Sequence, residues 1–167
     1  MVVREESLAD ISGIRQVHRA AFGRDAEGEL VDRLRIDGLF VASIVADDDA
    51  CVIGHALFSE LRIKTSGSLI PAVALAPVGV VPRRQREGIG TELISFGLRT
   101  CRERGISAVL VLGDPRYYAR FGFCAALTSK LEGAFTGGHW MAVELLDGCL
   151  SNVRGSVEYP VAFTLVD

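Results

Sequence analysis

Apolar residues recur along this chain in two rhythms, and each change of rhythm marks an element. Val2 to Glu6 reads as a short strand. From Ser7 the spacing becomes three and four: Leu8, Ile11, Ile14, His18 and Phe22 would share one face of a helix. Ser7 with Asp10 three residues on forms an acidic capping box. His18 on that face reads as an interior or boundary histidine rather than a ligand. A second helix is expected from Glu27 to Ile36, with Leu30, Val31 and Leu34 inward and Gly38 ending it. Leu39 to Ala46 is apolar and β-branched, Asp47-Asp48-Asp49 forms a turn, and Cys51 to Ile63 returns as the second arm of an antiparallel hairpin. Leu69 to Val81 is apolar at nearly every position, the pattern of a central strand covered on both faces.

Gly88 to Arg104 returns to the helical rhythm, with Ile89, Leu93, Phe96 and Thr100 along one side and Gly105 at its end. Ser107 to Leu112 is a short apolar strand. A strand, a long crossover helix and a second strand imply a parallel pair connected right-handedly. Arg116 to Phe121 reads as a short helical piece. Two more strands are expected near His139 to Leu146 and Ser156 to Phe163. No repeat, linker or low-complexity tract breaks the order, so residues 1–167 read as a single domain. The class is α/β (α+β): a mixed, mostly antiparallel sheet flanked by helices, unlike a doubly wound fold.

Composition narrows the function. With 18 Lys and Arg against 21 Asp and Glu, the formal net charge is −3, which disfavours a general nucleic-acid binder. All the cations but Lys64 and Lys130 are arginines, planar donors suited to phosphate or carboxylate. Cys51, Cys101, Cys124 and Cys149 are scattered, as are His18, His55 and His139, so no metal site is expected. The four cysteines read as small buried thiols in a reducing cytosol. The N-terminus is charged where a signal peptide is apolar. The uncharged stretch from Thr65 to Pro82 holds three prolines and cannot form a membrane helix. A soluble cytoplasmic protein is expected.

The informative stretch runs from Leu75 to Thr91, LAPVGVVPRRQREGIGT. Pro77 lacks an N–H and Gly79 often marks a bulge, so this strand should part from its parallel neighbour, Ser107 to Leu112. A splayed edge leaves backbone amide groups free for an extended ligand that carries amides of its own. The turn Gln85-Arg86-Glu87-Gly88-Ile89-Gly90 opens a helix, whose first N–H groups favour an anion; Arg83, Arg84 and Arg86 add charge, and pyrophosphate is the natural guest. A P-loop is excluded because no lysine is near, and the dinucleotide fingerprint fails because Leu93 stands where its third glycine belongs. No G-x-S-x-G elbow occurs.

Val80-Val81-Pro82 followed by Gln85-Arg86-Glu87-Gly88-Ile89-Gly90 resembles the central signature of the GNAT superfamily of N-acetyltransferases. Tyr118-Ala119-Arg120-Phe121-Gly122-Phe123 is similar to its second block, and GDPRYYARFGF is similar to the YhbS-type branch of small bacterial members. The resemblance covers essentially the whole chain. It implies acetyl-CoA as acyl donor and no metal. By that resemblance Val78 and Val80, with Gly79 between them, would meet the pantetheine. Gln85, Arg86, Glu87, Gly88, Ile89, Gly90 and Thr91 would hold the pyrophosphate, Tyr117 would pack or touch CoA, and Tyr118 would protonate the departing thiolate. Gly113-Asp114-Pro115 stands where many members carry an Asn that contacts the CoA arm.

The residue types suit that chemistry. A backbone N–H on the splayed strand, that of Val80, can polarise a thioester carbonyl. A tyrosine, with an ordinary pKa of about 10, stays protonated at neutral pH and can donate to a thiolate. The general base is open between Glu60, His55 and a water-mediated route, and His139 could line the acceptor pocket. The expected partner is a small-molecule or protein amine, with neither nucleic acid nor membrane involved, and the protein a monomer or homodimer. The competing expectation is a CoA-responsive binding or regulatory module without acceptor turnover.

Overall fold

Strand–strand pairing carries most of the architecture. In the computed structural model, which describes residues 1–165, the elements run β1 (Val2–Glu5), α1 (Ile11–Phe22), α2 (Ala26–Ile36), β2 (Phe40–Asp48), β3 (Cys51–Lys64), β4 (Leu69–Val80), α3 (Ile89–Glu103), β5 (Ala108–Leu112), α4 (Pro115–Tyr118), β6 (Leu131–Glu132), β7 (Trp140–Glu144) and β8 (Gly155–Glu158). The eight strands form one sheet in the order β1-β2-β3-β4-β5-β7. Every pairing on that path is antiparallel except β4 with β5. Strand β3 outruns β2, whose register ends with Phe40 opposite Ser59. Beyond it β8 pairs with Arg62, Ile63 and Lys64, and the two-residue β6 runs parallel to β8.

Alternation along β2 and β3 divides the core. Ile44, Ala46, Ala56 and Phe58 face α3 and pack with Leu93 and Ile94. Val45 and Leu57 face the opposite way, onto Ile14, Leu30, Val31 and Leu34 of α1 and α2. A third cluster, with Trp140, Leu110, Leu131 and Val157, fills the end of the sheet under the C-terminal strands. Gly97 lets α3 lie directly on the sheet, because a Cβ there would overlap the Phe58 ring.

Several expected boundaries move. The hairpin reverses at Asp49 and Ala50, both left-handed, so Asp47 and Asp48 belong to β2. Leu8 is exposed rather than inward, since Leu8–Asp10 winds as a separate 3₁₀ turn before α1. There Asp10 accepts from the Ser7 N–H at 2.6 Å and from its hydroxyl at 2.9 Å. The last strand stops at Glu158; Pro160 follows, and Val161–Leu165 winds into a 3₁₀ helix.

Candidate active site

Strand β4 stays beside β5 for three residues only. Ala72, Val73 and Ala74 pair with Ala108, Val109 and Leu110. Past Ala74, β4 pairs with β3 alone and β5 continues against β7. The register gives the cause. Between Ala56 and Phe58 of β3, β4 passes from Val78 to Leu75, one residue more than its partner. The bulge falls at Ala76-Pro77, and such an insertion bends a strand. Val81 donates its N–H to Ile53 O on β3 at 3.0 Å. Successive residues of a strand turn their N–H groups to opposite edges, so that of Val80 faces the open edge. Its carbonyl faces the same way and accepts from Gln85 Nε2 at 3.0 Å.

The chain leaves β4 through a 3₁₀ turn at Pro82–Arg84, then passes Arg86 and Gly88, both with positive φ, into α3. Turn, strand edge and α4 enclose a cleft of about 470 Å³ lined by Val78, Val80, Arg84, Gln85, Arg86, Gly88, Gly90, Thr91, Tyr117, Tyr118 and Arg120. The cations differ in role. Arg84 is held by Asp48 at 2.6 Å and Glu87 at 2.7 Å. Arg120 lies over the Tyr117 ring, 4.4 Å from its centroid, and donates to the Tyr117 carbonyl. Arg86 lines the cleft without an ion pair among the described residues.

Tyr118 lines this cleft from α4. Asp114 caps α4 by accepting from the Arg116 N–H at 2.9 Å, which fixes the turn that carries both tyrosines. Their rings meet edge to face at 5.1 Å, and Phe123 braces Tyr118 from a second side. Burial, with a smaller contribution from Tyr117, pushes the Tyr118 phenol up to about 12. Tyr118 also lines a second cavity of about 490 Å³ on the α1–α2 side of β4, which shares only Val78 and Tyr118 with the first. Among the described residues its lining side chains are apolar apart from Glu27 and the hydroxyls of Tyr118 and Tyr159, and β4 and β5 add backbone to the wall.

A parallel pair that splays after three residues and feeds a glycine-bearing helix start, with Tyr118 beside it, has counterparts among known proteins. The family model described as an acetyltransferase (GNAT) domain matches residues 2–126. The chain belongs to the GNAT family. It is 36% identical to the N-acetyltransferase YhbS of Escherichia coli strain K12 over 162 residues, 95% of this chain and 96% of that one. The crystal structure of E. coli YhbS in complex with CoA superposes with a TM-score of 0.89, covering 98% of this chain and 91% of that one. A GNAT acetyltransferase from Brucella melitensis in complex with acetyl-CoA has a TM-score of 0.80 at 35% identity, covering 97% of each chain.

Within this GNAT chain the residues singled out by sequence fall into two groups. Val78, Val80, Gln85, Arg86, Gly88, Gly90, Thr91, Tyr117 and Tyr118 meet around one cleft. Glu87 turns to Arg84, Ile89 is buried in the α3 core, and Gly79 backs onto His18, so none of these three lines it. The candidate bases lie elsewhere. His55 is fully buried and bonded to His18 and Ser43. Glu60 sits opposite Val73 and His139 bonds the Gly113 carbonyl at 3.0 Å; neither lines either cavity. At Gly113 a Cβ would overlap the Tyr118 ring, so an Asn there is incompatible with this tyrosine's position. Sequence reasoning missed Glu27. The signal was present: it lies three and four residues before Leu30 and Val31, on the inward face of α2.

Among the described residues no group of His, Cys, Asp and Glu could hold a metal ion, and no helix is long and apolar enough to cross a membrane.

Proposed function

We propose that this protein is an acetyl-CoA-dependent N-acetyltransferase that moves the acetyl group to a primary amine of a small molecule or protein. One observation carries the reading: the free edge of β4, the turn into α3 and the Tyr118 hydroxyl open on the same cleft. The edge suits the amides of pantetheine, and the α3 start with Arg86 suits pyrophosphate. The neighbours solved with CoA and acetyl-CoA support the same occupant.

In this reading the Val80 N–H polarises the thioester carbonyl. The neutral amine attacks the carbonyl carbon, the C–S bond breaks, and Tyr118 gives its proton to the sulfur. A phenol pushed up to about 12 is protonated at neutral pH, so the donor is in its working state before CoA leaves. The protein acts as a single domain in the cytoplasm, in keeping with the match to bacterial relatives over nearly the whole chain.

The test is incubation with acetyl-CoA and a panel of primary amines and lysine peptides, with acetylated product read by mass spectrometry. Product from at least one acceptor is expected. Tight acetyl-CoA binding with no product from any of them would favour a CoA-responsive binding module instead.

A further inference from the structure

We infer that the second cavity docks a small primary amine with an apolar aryl or alkyl body, and that the Glu27 carboxylate binds its ammonium and takes up its first proton. The inference rests on the acetyl-transfer reading and adds the acceptor class to it.

The cavity supplies the argument. Its volume of about 490 Å³ lies within the usual range for small-molecule sites, about 300–1,000 Å³. Phe135, Tyr159 and Phe163 form one aromatic wall, with successive rings edge to face at 5.3 Å. Among the described residues Glu27 is the sole charged side chain on the lining, and its own side chain is 6% exposed. A carboxylate in such surroundings calls for a cation. Arg24, which is not on the lining, supplies that counter-charge, bonding Oε1 at 2.6 and 3.0 Å and Oε2 at the longer distance of 3.3 Å. Oε2 therefore keeps acceptor capacity for an N–H donor. One carboxylate among aromatic walls fits one ammonium on an apolar body. A polyamine would bury further positive charges without partners.

The cavity joins the CoA cleft at Val78 and Tyr118, so Glu27 and Tyr118 face one substrate from two sides. The proton count then closes. The ammonium sheds its first proton to Glu27, which passes it to water. The nitrogen attacks the thioester carbon, the C–S bond breaks, and Tyr118 protonates the sulfur. The second nitrogen proton restores the Tyr118 phenol, leaving amide and CoA thiol.

Calorimetry on protein saturated with CoA tests the site without needing turnover. The probes are 2-phenylethylamine, its neutral isostere 2-phenylethanol, and spermidine. The amine should bind about ten- to hundredfold more tightly than the alcohol, the size of a hydrogen bond to a charged group. Spermidine should bind more weakly than the aryl amine. Glu27→Gln should lose a similar factor for 2-phenylethylamine and keep its CoA affinity. Equal affinity for amine and alcohol, tighter binding of spermidine, or unchanged amine binding in Glu27→Gln overturns the assignment. The amine–alcohol comparison uses the unaltered protein, so it decides even where the variant fails to fold. Charge-selective amine binding without acetylated product would leave the docking site standing and overturn acetyl transfer. Acetylation confined to polar amines would do the reverse.

Discussion

His18 and His55 share a 2.8 Å hydrogen bond, Nε2 to Nδ1, and neither ring is exposed. The bond belongs to a directed chain. The Glu6 carboxylate can only accept, so Ser43 donates its hydroxyl to Glu6 and accepts from His55 Nε2, 2.8 Å away. His55 Nδ1 then accepts from His18 Nε2–H. His18 Nδ1 is left as a bare lone pair with no partner among the described residues, beside the backbone of Gly79. The α1–β3–β2 contact is thus built around two neutral imidazoles.

Acid should undo that contact. Burial lowers the His18 pKa from 6.5 to about 4, against a smaller opposing pull from Glu27. His55 is lowered well below 6.5, first by burial and then by His18, with which it would compete for a proton, and by the Arg35 guanidinium. In each case the unfolded chain binds the proton more readily. The stability is fully present above about pH 6.5 and falls as pH drops from there toward pH 4, by up to about 1.4 kcal/mol per pH unit per histidine. Asp10, held far below the ordinary carboxylate range by Arg4, adds a loss only below about pH 3.8. Thermal melts at pH 7 and pH 5 should therefore differ clearly, and His18→Phe should narrow the difference. An identical pH 7 to pH 5 shift in that variant would count against this account.

The α3–β3 contact yields a packing prediction. Gly97→Ala gains about 1 kcal/mol in helix propensity. Its methyl would overlap the fully buried Phe58 ring, however, and overpacking costs typically 1–3 kcal/mol or more. Urea unfolding should show a net loss of about 1–2 kcal/mol. Phe58→Leu in the same chain should recover part of it, because the smaller side chain leaves room. Additive losses in the double variant would mean that the two residues do not compete for one space.

The elements around the site were legible because their patterns are local. The three-and-four spacing in α3, the alternation in β3 and the Pro77-Gly79 interruption each sit within one segment, and the bulge they point to is the one that opens the β4–β5 edge. What escaped depends on distance along the chain. His18 and His55 are 37 residues apart, and nothing local joins them. Gly113 owes its identity to a ring five residues on, across a turn. The two-residue β6 is too short to show a rhythm, and it exists because β8 offers an edge. Glu27 was missed because an acidic residue in a first helical turn reads as a dipole partner, although its place beside Leu30 and Val31 turns it inward.

The phosphate turn can be tested at its glycines. Gly88 has φ +86° and open space where a Cβ would go, on the lining of the cleft proposed for CoA. Gly88→Val places bulk there and adds backbone strain, because a β-branched residue resists that conformation. Gly88→Asn carries a side chain into the same space with less strain. Both should weaken acetyl-CoA binding by about tenfold or more, equal to about 1.4 kcal/mol, and only the valine variant should also lose much stability. Calorimetric titration of both variants is the check. Undiminished binding in Gly88→Asn would move the pyrophosphate away from this turn.

The last prediction separates the two tyrosines. Tyr118 lines both cavities and Tyr117 only the cleft proposed for CoA, where its hydroxyl lies 2.8 Å from the position a Gly90 Cβ would take. Tyr118→Phe keeps the ring against Phe123 and removes only the hydroxyl. If that hydroxyl protonates the departing thiolate, acetyl-CoA affinity should hardly change while kcat falls, by about 10²–10⁴-fold where chemistry limits the rate. Because the phenol is pushed up to about 12, the wild-type rate should show no loss from Tyr118 ionisation through pH 9. Tyr117→Phe keeps the face that Arg120 covers and should lower kcat far less. Slow product release would mask part of the Tyr118 effect, so single-turnover rates with one accepted amine are the deciding measurement. Near-wild-type single-turnover rates in Tyr118→Phe would take this residue out of the proton transfer and leave water as the donor.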